Sequence, residues 1–239
     1  MIRAVTFDFW DTLVSEEAGA MRGMQLDAWA DVFVGAGIEV PADVLAAAFR
    51  ENWLVFEQRW VDNEGQWTPH DATDFICDHL GMESSDLRDE LVETFARVGE
   101  RAPLVAARDA VETLTTLRGA GIGLGIVCDV GLTGSPTLRQ RLEGFGLLEF
   151  FDAWAFSDET GWFKPAADAF APALEGLGIE DPAHAAHIGD SKRTDIAGAL
   201  ALGMTAIRFA GFYDRADGEG PEASSVITHL AEIPGILGI

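Results

Sequence analysis

The sequence predicts an α/β fold: a Rossmann-like, doubly wound parallel sheet core with an inserted all-α cap domain. Three observations predict it. A short apolar run opens the chain at Ile2–Phe7, short apolar runs alternate with single helices after Pro103, and the stretch between carries helical periodicity only. Strands separated by single helices imply right-handed crossovers and therefore a parallel sheet covered on both faces.

Ile2–Phe7 is rich in β-branched and aromatic residues and too short for a helix, so it reads as a buried strand. From Gly19 to Val98 the apolar residues recur at helical spacing. Leu26, Trp29, Ala30 and Phe33 form one stripe, and Leu45, Phe49, Trp53, Phe56 and Trp60 a second. Thr73, Phe75, Ile76 and Leu80 follow, then Leu87, Leu91 and Phe95, with separators at 37–41 and 62–69. After Pro103 the expected order is helix 106–118, strand 122–127, helix 136–145, strand 153–156 and helix 166–177. Strand 185–188, helix 195–202, strand 205–209 and a last strand at 226–227 complete it. The expected domains are a core of residues 1–15 and 100–239 and a helical cap of residues 16–99.

Composition limits the partners. Of 239 residues 48% are hydrophobic, ample for a buried interior. Forty acidic against 16 basic side chains give a formal charge of −24. Such a surface repels phosphate backbones and anionic headgroups, so neither nucleic acid nor membrane is expected as a partner. Cys77 and Cys128 are too few for a disulfide framework or a zinc site, which makes a reducing cytoplasm the default. No signal-peptide pattern and no apolar run of membrane-spanning length is visible.

In open parallel sheets ligands bind at the carboxyl ends of the strands. Four predicted strand ends carry polar residues: Asp8, Cys128-Asp129, Lys164 in the loop beyond the third, and Asp190. A lone Asp after a strand is commonly a helix cap or turn former, but four such ends together suggest a site.

These residues resemble the haloacid dehalogenase-like hydrolase superfamily. "FDFWDTL" (7–13) is similar to its first motif, "SDETGWFKP" (157–165) to its lysine segment, and "HIGDSKRTDIAGALALGM" (187–204) to its acidic fourth motif and following helix. The helical block falls between the first and second motifs, as in the subgroup with a helical cap. The resemblance implies Asp8 as nucleophile, forming an aspartyl-phosphate that water hydrolyses. It implies Mg²⁺ held by Asp8, Asp190 and the backbone carbonyl of Trp10, with Asp195 binding through water or orienting the ligands. Lys164 would neutralise the transferring phosphoryl group. Thr12 would fix the turn after the first strand, and Ser191 either caps a helix or approaches the metal.

The chain departs from the pattern at four positions. Phosphatases of this superfamily carry an acid/base Asp where Trp10 stands, and an indole has no titratable proton near neutral pH. General acid–base catalysis is worth about 10²–10⁴-fold, so its loss raises the barrier by roughly 3–5 kcal/mol. Asp11, at a position where Gly is usual, needs altered backbone geometry to substitute. Cys128 replaces the second motif's hydroxyl and Asp129 its common Asn; a thiol is a weak donor and a carboxylate repels phosphate. With Trp10 and Thr12 these two form the expected substrate contacts.

The dehalogenase branch also lacks the second Asp, but it loses the Gly-Asp pair kept here as Gly189-Asp190. The expected function is a Mg²⁺-dependent hydrolase of a small phosphorylated metabolite, monomeric or homodimeric. The alternatives are a catalytically weak or inactive binding protein and a metal-independent 2-haloacid dehalogenase-like hydrolase. The cap aromatics, Trp29, Phe33, Phe49, Trp53, Phe56, Trp60 and Trp67, read chiefly as core, and His184 and His187 receive no role.

Overall fold

The computed structural model describes residues 1–17, 19–62, 65–82, 85–214, 216 and 218–239. The chain divides into two compact units: Met1–Ser15, Leu104–Asp129 and Arg141–Ile239 form an α/β unit, and Glu16–Pro103 with Val130–Gln140 form a helical one.

In the α/β unit, β1 (Ala4–Phe7), β4 (Gly123–Cys128), β5 (Ala153–Phe156), β6 (Ala185–Gly189), β7 (Thr205–Phe209) and β8 (Ser225–Ile227) form one sheet in the order β5-β4-β1-β6-β7-β8. Every pairing in it is parallel. β1 lies at the centre with all four residues buried, as an apolar run without alternation should. Its neighbours β4 and β6 bring Cys128 and Gly189 to the same edge as Asp8, whose amide still donates to the Ile188 carbonyl at 2.8 Å. The strand order reverses around β1, so the carboxyl edges of β1, β4 and β6 meet at the switch point where ligands bind such sheets.

The connecting helices include α5 (Ala110–Gly119), α6 (Ser135–Gly144), α7 (Ser157–Thr160), α8 (Ala167–Gly176), α9 (Ala197–Ala201) and α10 (Ile233–Leu237). α8 covers β4 and β5 with Phe170, Ala173 and Leu174. Two expectations need correction. The helix foreseen from Ala106 starts at Ala110, because 104–106 is a strand, β3, paired with β2 (Val14–Glu16) in a separate two-stranded sheet. The helix foreseen from Asp195 is preceded by a wide π-type turn, Lys192–Ile196, and α9 begins only at Ala197.

The helical unit contains α1 (Ala20–Gly35), α2 (Ala42–Asp62), α3 (Pro69–His79) and α4 (Ser85–Arg101). Of the predicted separator 62–69, residues 63 and 64 lie outside the described residues. α3 starts where sequence dictates: Pro69 occupies its first turn, the Thr68 hydroxyl accepts from the Asp71 amide, and the Asp71 carboxylate accepts from the Thr68 amide. Trp29 is the hub of the core, with ring centroids 6.0 Å from Phe33, 5.0 Å from Phe49 and 5.9 Å from Phe95, all edge-on. Of the seven aromatics expected in that core, Trp29, Phe33, Phe49 and Phe56 are buried. Trp53 is exposed beneath the Arg22 guanidinium, 4.5 Å from its ring, and Trp67 donates its indole N–H to Asn52 at 2.9 Å.

Candidate active site

The site grows from the carboxyl edge of β1, β4 and β6. Asp8 follows β1 directly, Asp190 follows β6, and the Lys192–Ile196 turn brings Asp195 back beneath Gly189. That return requires glycine: a Cβ at position 189 would collide with the Cβ, Cγ and Oδ1 of Asp195. One Asp195 oxygen, Oδ2, accepts from the Ser191 amide at 3.0 Å. Ser191 also caps the turn, its hydroxyl accepting from the Thr194 amide at 3.4 Å.

Lys164 is buried, and its ammonium donates to Asp8 Oδ1 at 2.7 Å, Asp195 Oδ1 at 2.6 Å and the Val127 carbonyl at 3.2 Å. These partners fill the three donor directions of an ammonium. Burial opposes its charge, but the carboxylates of Asp195, Asp8 and Asp129 outweigh it and hold the lysine well above its ordinary pKa. Its backbone amide is fixed as well, donating to Asp129 Oδ1 at 3.0 Å. The Asp129 carboxylate is thus a support for the lysine loop.

Asp8, Asp190 and Asp195 are all buried and can each offer an oxygen within 4.8 Å of the others. Burial pushes the Asp8 carboxyl well above the usual carboxylate range, and the neighbouring Asp195 and Asp190 push it further, against the pull of Lys164. Asp195 goes the other way. Burial would raise it, yet Lys164 and His187 together hold it below the usual range. Three buried carboxylates facing a single bonded ammonium leave negative charge that a hard, oxygen-seeking cation would satisfy, so these residues fit a divalent metal.

The remaining predicted residues fall around this cluster. Trp10 is half-buried with its indole edge-on to Phe9, centroids 4.8 Å apart. Asp11 adopts the left-handed backbone region, φ 55°, in the position expected for Gly, and Asp is among the few residues that tolerate it. Its carboxylate accepts from the Ser15 hydroxyl at 2.7 Å. Thr12 is buried with a hydroxyl that finds no partner among the described residues. The turn itself is closed by main chain, Asp11 N to Val14 O and Val14 N to Phe9 O. Cys128 is buried, and burial, reinforced by Asp8, keeps its thiol protonated, with the Phe9 amide hydrogen-bonded to the sulfur.

Sequence reasoning passed over Thr6 and gave His187 no role, yet both reach the cluster. His187 Nε2 lies 3.0 Å from Asp195 Oδ1, and its Nδ1 lies 2.9 Å from Thr6 Oγ1. Burial pushes the His187 pKa down, against the pull of Asp195. The available signal was the two-residue period of a strand, which sets Thr6 on the side of Asp8. His184, at the opposite end of β6, takes no part, and lies instead with Arg3, Glu180 and Asp181 around a cavity of about 300 Å³.

Among curated proteins, the chain is 30% identical over 225 residues to haloacid dehalogenase-like hydrolase domain-containing protein 3 of Bos taurus, covering 88% of this chain and 82% of that one. It is 34% identical over 217 residues to the glyceraldehyde 3-phosphate phosphatase of Methanopyrus kandleri, covering 87% and 84%. Among solved structures, a HAD phosphatase from Thermococcus onnurineus superposes with a TM-score of 0.66 at 26% identity, covering 99% of this chain and 98% of that chain. Residues 2–203 match the haloacid dehalogenase-like hydrolase family, and with relatives of this similarity the chain belongs to that family.

Proposed function

We propose that the protein is a Mg²⁺-dependent hydrolase of a small phosphorylated metabolite, working through an aspartyl-phosphate on Asp8. The observation that carries the reading is the buried Lys164 ammonium joined to Asp8 and Asp195 beside Asp190, at the sheet edge where ligands bind. The phosphatase among its relatives supports the substrate class. Oxygens of Asp8 and Asp190 and the Trp10 carbonyl would hold the metal, with Asp195 orienting the set. The metal, when bound, supplies positive charge to the phosphoryl oxygens.

The protein's own residues account for the rest. The free Asp8 oxygen attacks phosphorus as the bond to the leaving oxygen breaks, while Lys164 holds the other Asp8 oxygen and offsets phosphoryl charge. Water then attacks the aspartyl-phosphate and releases inorganic phosphate and the Asp8 carboxylate. Trp10 gives the leaving oxygen no proton, so esters with acidic leaving groups, acyl phosphates above all, are the preferred substrates. Thr12, Cys128 and the Trp10 side chain would line the phosphate end. The chain acts as a monomer or homodimer in the cytoplasm; no helix among the described residues is long and apolar enough to cross a membrane.

Purified protein assayed against phosphomonoesters, an acyl phosphate and 2-haloacids, with and without Mg²⁺, tests the reading. Phosphate release should need Mg²⁺ and disappear in Asp8→Asn, and Trp10→Asp should raise alkyl-phosphate turnover by up to about 10²–10⁴-fold. Turnover surviving Asp8→Asn overturns the nucleophile, and halide release without metal supports the dehalogenase reading. The absence of an acid at Trp10 favours one second reading, a weakly active or inactive binding protein. Silence across the panel in both wild type and Trp10→Asp would support it.

A further inference from the structure

Thr6 and His187 form a cross-strand pair that the reaction above does not use. They are register partners in the parallel β1–β6 pairing, and both are fully buried. His187 Nε2 approaches Asp195 Oδ1, the same oxygen that accepts Lys164 Nζ. An ionised carboxylate oxygen has no hydrogen to give, so Nε2 must carry one toward it. A neutral ring protonated there presents a lone pair at Nδ1, and the Thr6 hydroxyl, 2.9 Å away, is placed to donate to it. The hydroxyl's other acceptor, the Ala186 carbonyl, is 3.4 Å away, at the outer limit of a hydrogen bond. The Phe170 ring packs edge-on against the imidazole, centroids 5.1 Å apart, and supports it from the side.

We propose that Thr6 and His187 are positioning residues: the Thr6 hydroxyl, donating to Nδ1, holds the His187 ring in place, and the ring's Nε2–H pins the Asp195 oxygen that holds Lys164 against Asp8. The proposal rests on the reading of Asp8 and Lys164 given above. Asp195 is suspended from both sides, Oδ2 by the Ser191 amide and Oδ1 by His187 and Lys164. Removing the imidazole's hold frees the carboxylate to rotate about the Ser191 contact and lets the ammonium drift. Thr6 acts only through the ring, so its substitution should matter only while the ring needs orienting.

The full chain, with Mg²⁺ and in EDTA, tests this with Thr6→Val, Thr6→Ser, His187→Gln and the Thr6→Val/His187→Gln pair. In EDTA the ¹⁵N shifts of the His187 ring should show Nε2–H throughout, with a hydrogen-bonded Nδ1 in wild type and Thr6→Ser and an Nδ1 shifted toward its unbonded value in Thr6→Val. With Mg²⁺ and p-nitrophenyl phosphate, Thr6→Val should lose about 10–100-fold, mainly in kcat, and Thr6→Ser should recover it. In the His187→Gln background Thr6→Val should cost nothing further, because no ring nitrogen remains for Thr6 to hold. Wild-type kcat with an unchanged ring signature in Thr6→Val overturns the proposal, as does a full loss in Thr6→Ser. If Thr6→Val fails to fold, His187→Gln decides through the Lys164 Nζ resonance, which should move from its wild-type position; an unmoved resonance overturns the proposal. If wild-type protein hydrolyses no ester, the functional reading fails by itself, while the EDTA spectra still decide the positioning claim.

Discussion

The helical unit is centred on an aromatic hub, Trp29 with Phe33, Phe49 and Phe95, whose members meet edge-on and owe their places to shape. The α/β unit wraps an apolar sheet around a buried polar chain that runs from Thr6 through His187, Asp195 and Lys164 to Asp8. Stability in the first comes from area removed from water and close packing. In the second, part of the interior is a buried polar network of three carboxylates around one ammonium, in which hydrogen bonding and charge complementarity work against desolvation and the mutual repulsion of the acids. The two should therefore respond differently to substitution, to metal and to pH.

The largest expected effect lies in the helical unit. Trp29→Ala removes the hub and should destabilise by about 3–5 kcal/mol in denaturant unfolding, with Mg²⁺ affinity at the carboxylates unchanged. A loss under about 1 kcal/mol would mean that this core repacks and is not specified by shape. In the α/β unit, Gly189→Ala adds one methyl group against Asp195. It should cost about 1–3 kcal/mol and weaken Mg²⁺ binding, read by titration calorimetry; unchanged metal affinity would show that Asp195 can move without consequence.

The smallest effect has the opposite sign. Because Asp8 titrates above its unfolded value, its favourable contribution is complete below that value and is lost as the pH rises through the folded one. Asp8→Asn should therefore stabilise the metal-free protein slightly on the alkaline side, seen as a higher denaturation midpoint than wild type. The gain should shrink as the pH falls toward the ordinary carboxylate range. Asp195 is depressed, so its own contribution is lost only at lower pH. Saturating Mg²⁺ should stabilise wild type more than the variant and offset the difference. A metal-free Asp8→Asn protein no more stable than wild type would remove the contrast between the two interiors.

Much of this was legible. The six main-sheet strands read from sequence because short, continuous apolar runs between glycine-bearing turns have few alternatives to a buried parallel sheet. Asp8, Lys164, Asp190 and Asp195 read from motif order. The pair β2 and β3 did not, since three-residue strands carry no periodicity. The helix expected from Asp195 begins two residues later, at Ala197, because Asp195 and Ile196 close the wide Lys192–Ile196 turn, whose widening serves Asp195, a tertiary demand. Asp129 reads as a phosphate contact from its place after β4; that its Oδ1 also accepts from the Lys164 amide of another loop is a tertiary contact with no sequence signal. Thr6 and His187 were hidden for a similar reason: 181 positions apart, they meet only through the register of β1 on β6.

The position of β1 at the centre of the sheet also gives the chain a reading frame in the steric sense. Thr6 and Asp8 project to the face that carries His187 and Lys164, while Phe7, between them, meets Phe151 edge-on at 6.2 Å on its own side. A deletion of one residue within Ala4–Phe7 would preserve composition, hydrophobicity and strand propensity almost unchanged, yet set the side chains on one side of the gap, through Asp8, on the wrong face. The protein would then have to bury Asp8 among hydrocarbon or give up the pairing on both sides of its central strand. Such a frameshift without a change of reading frame in the gene would be among the most damaging single events this sequence could suffer.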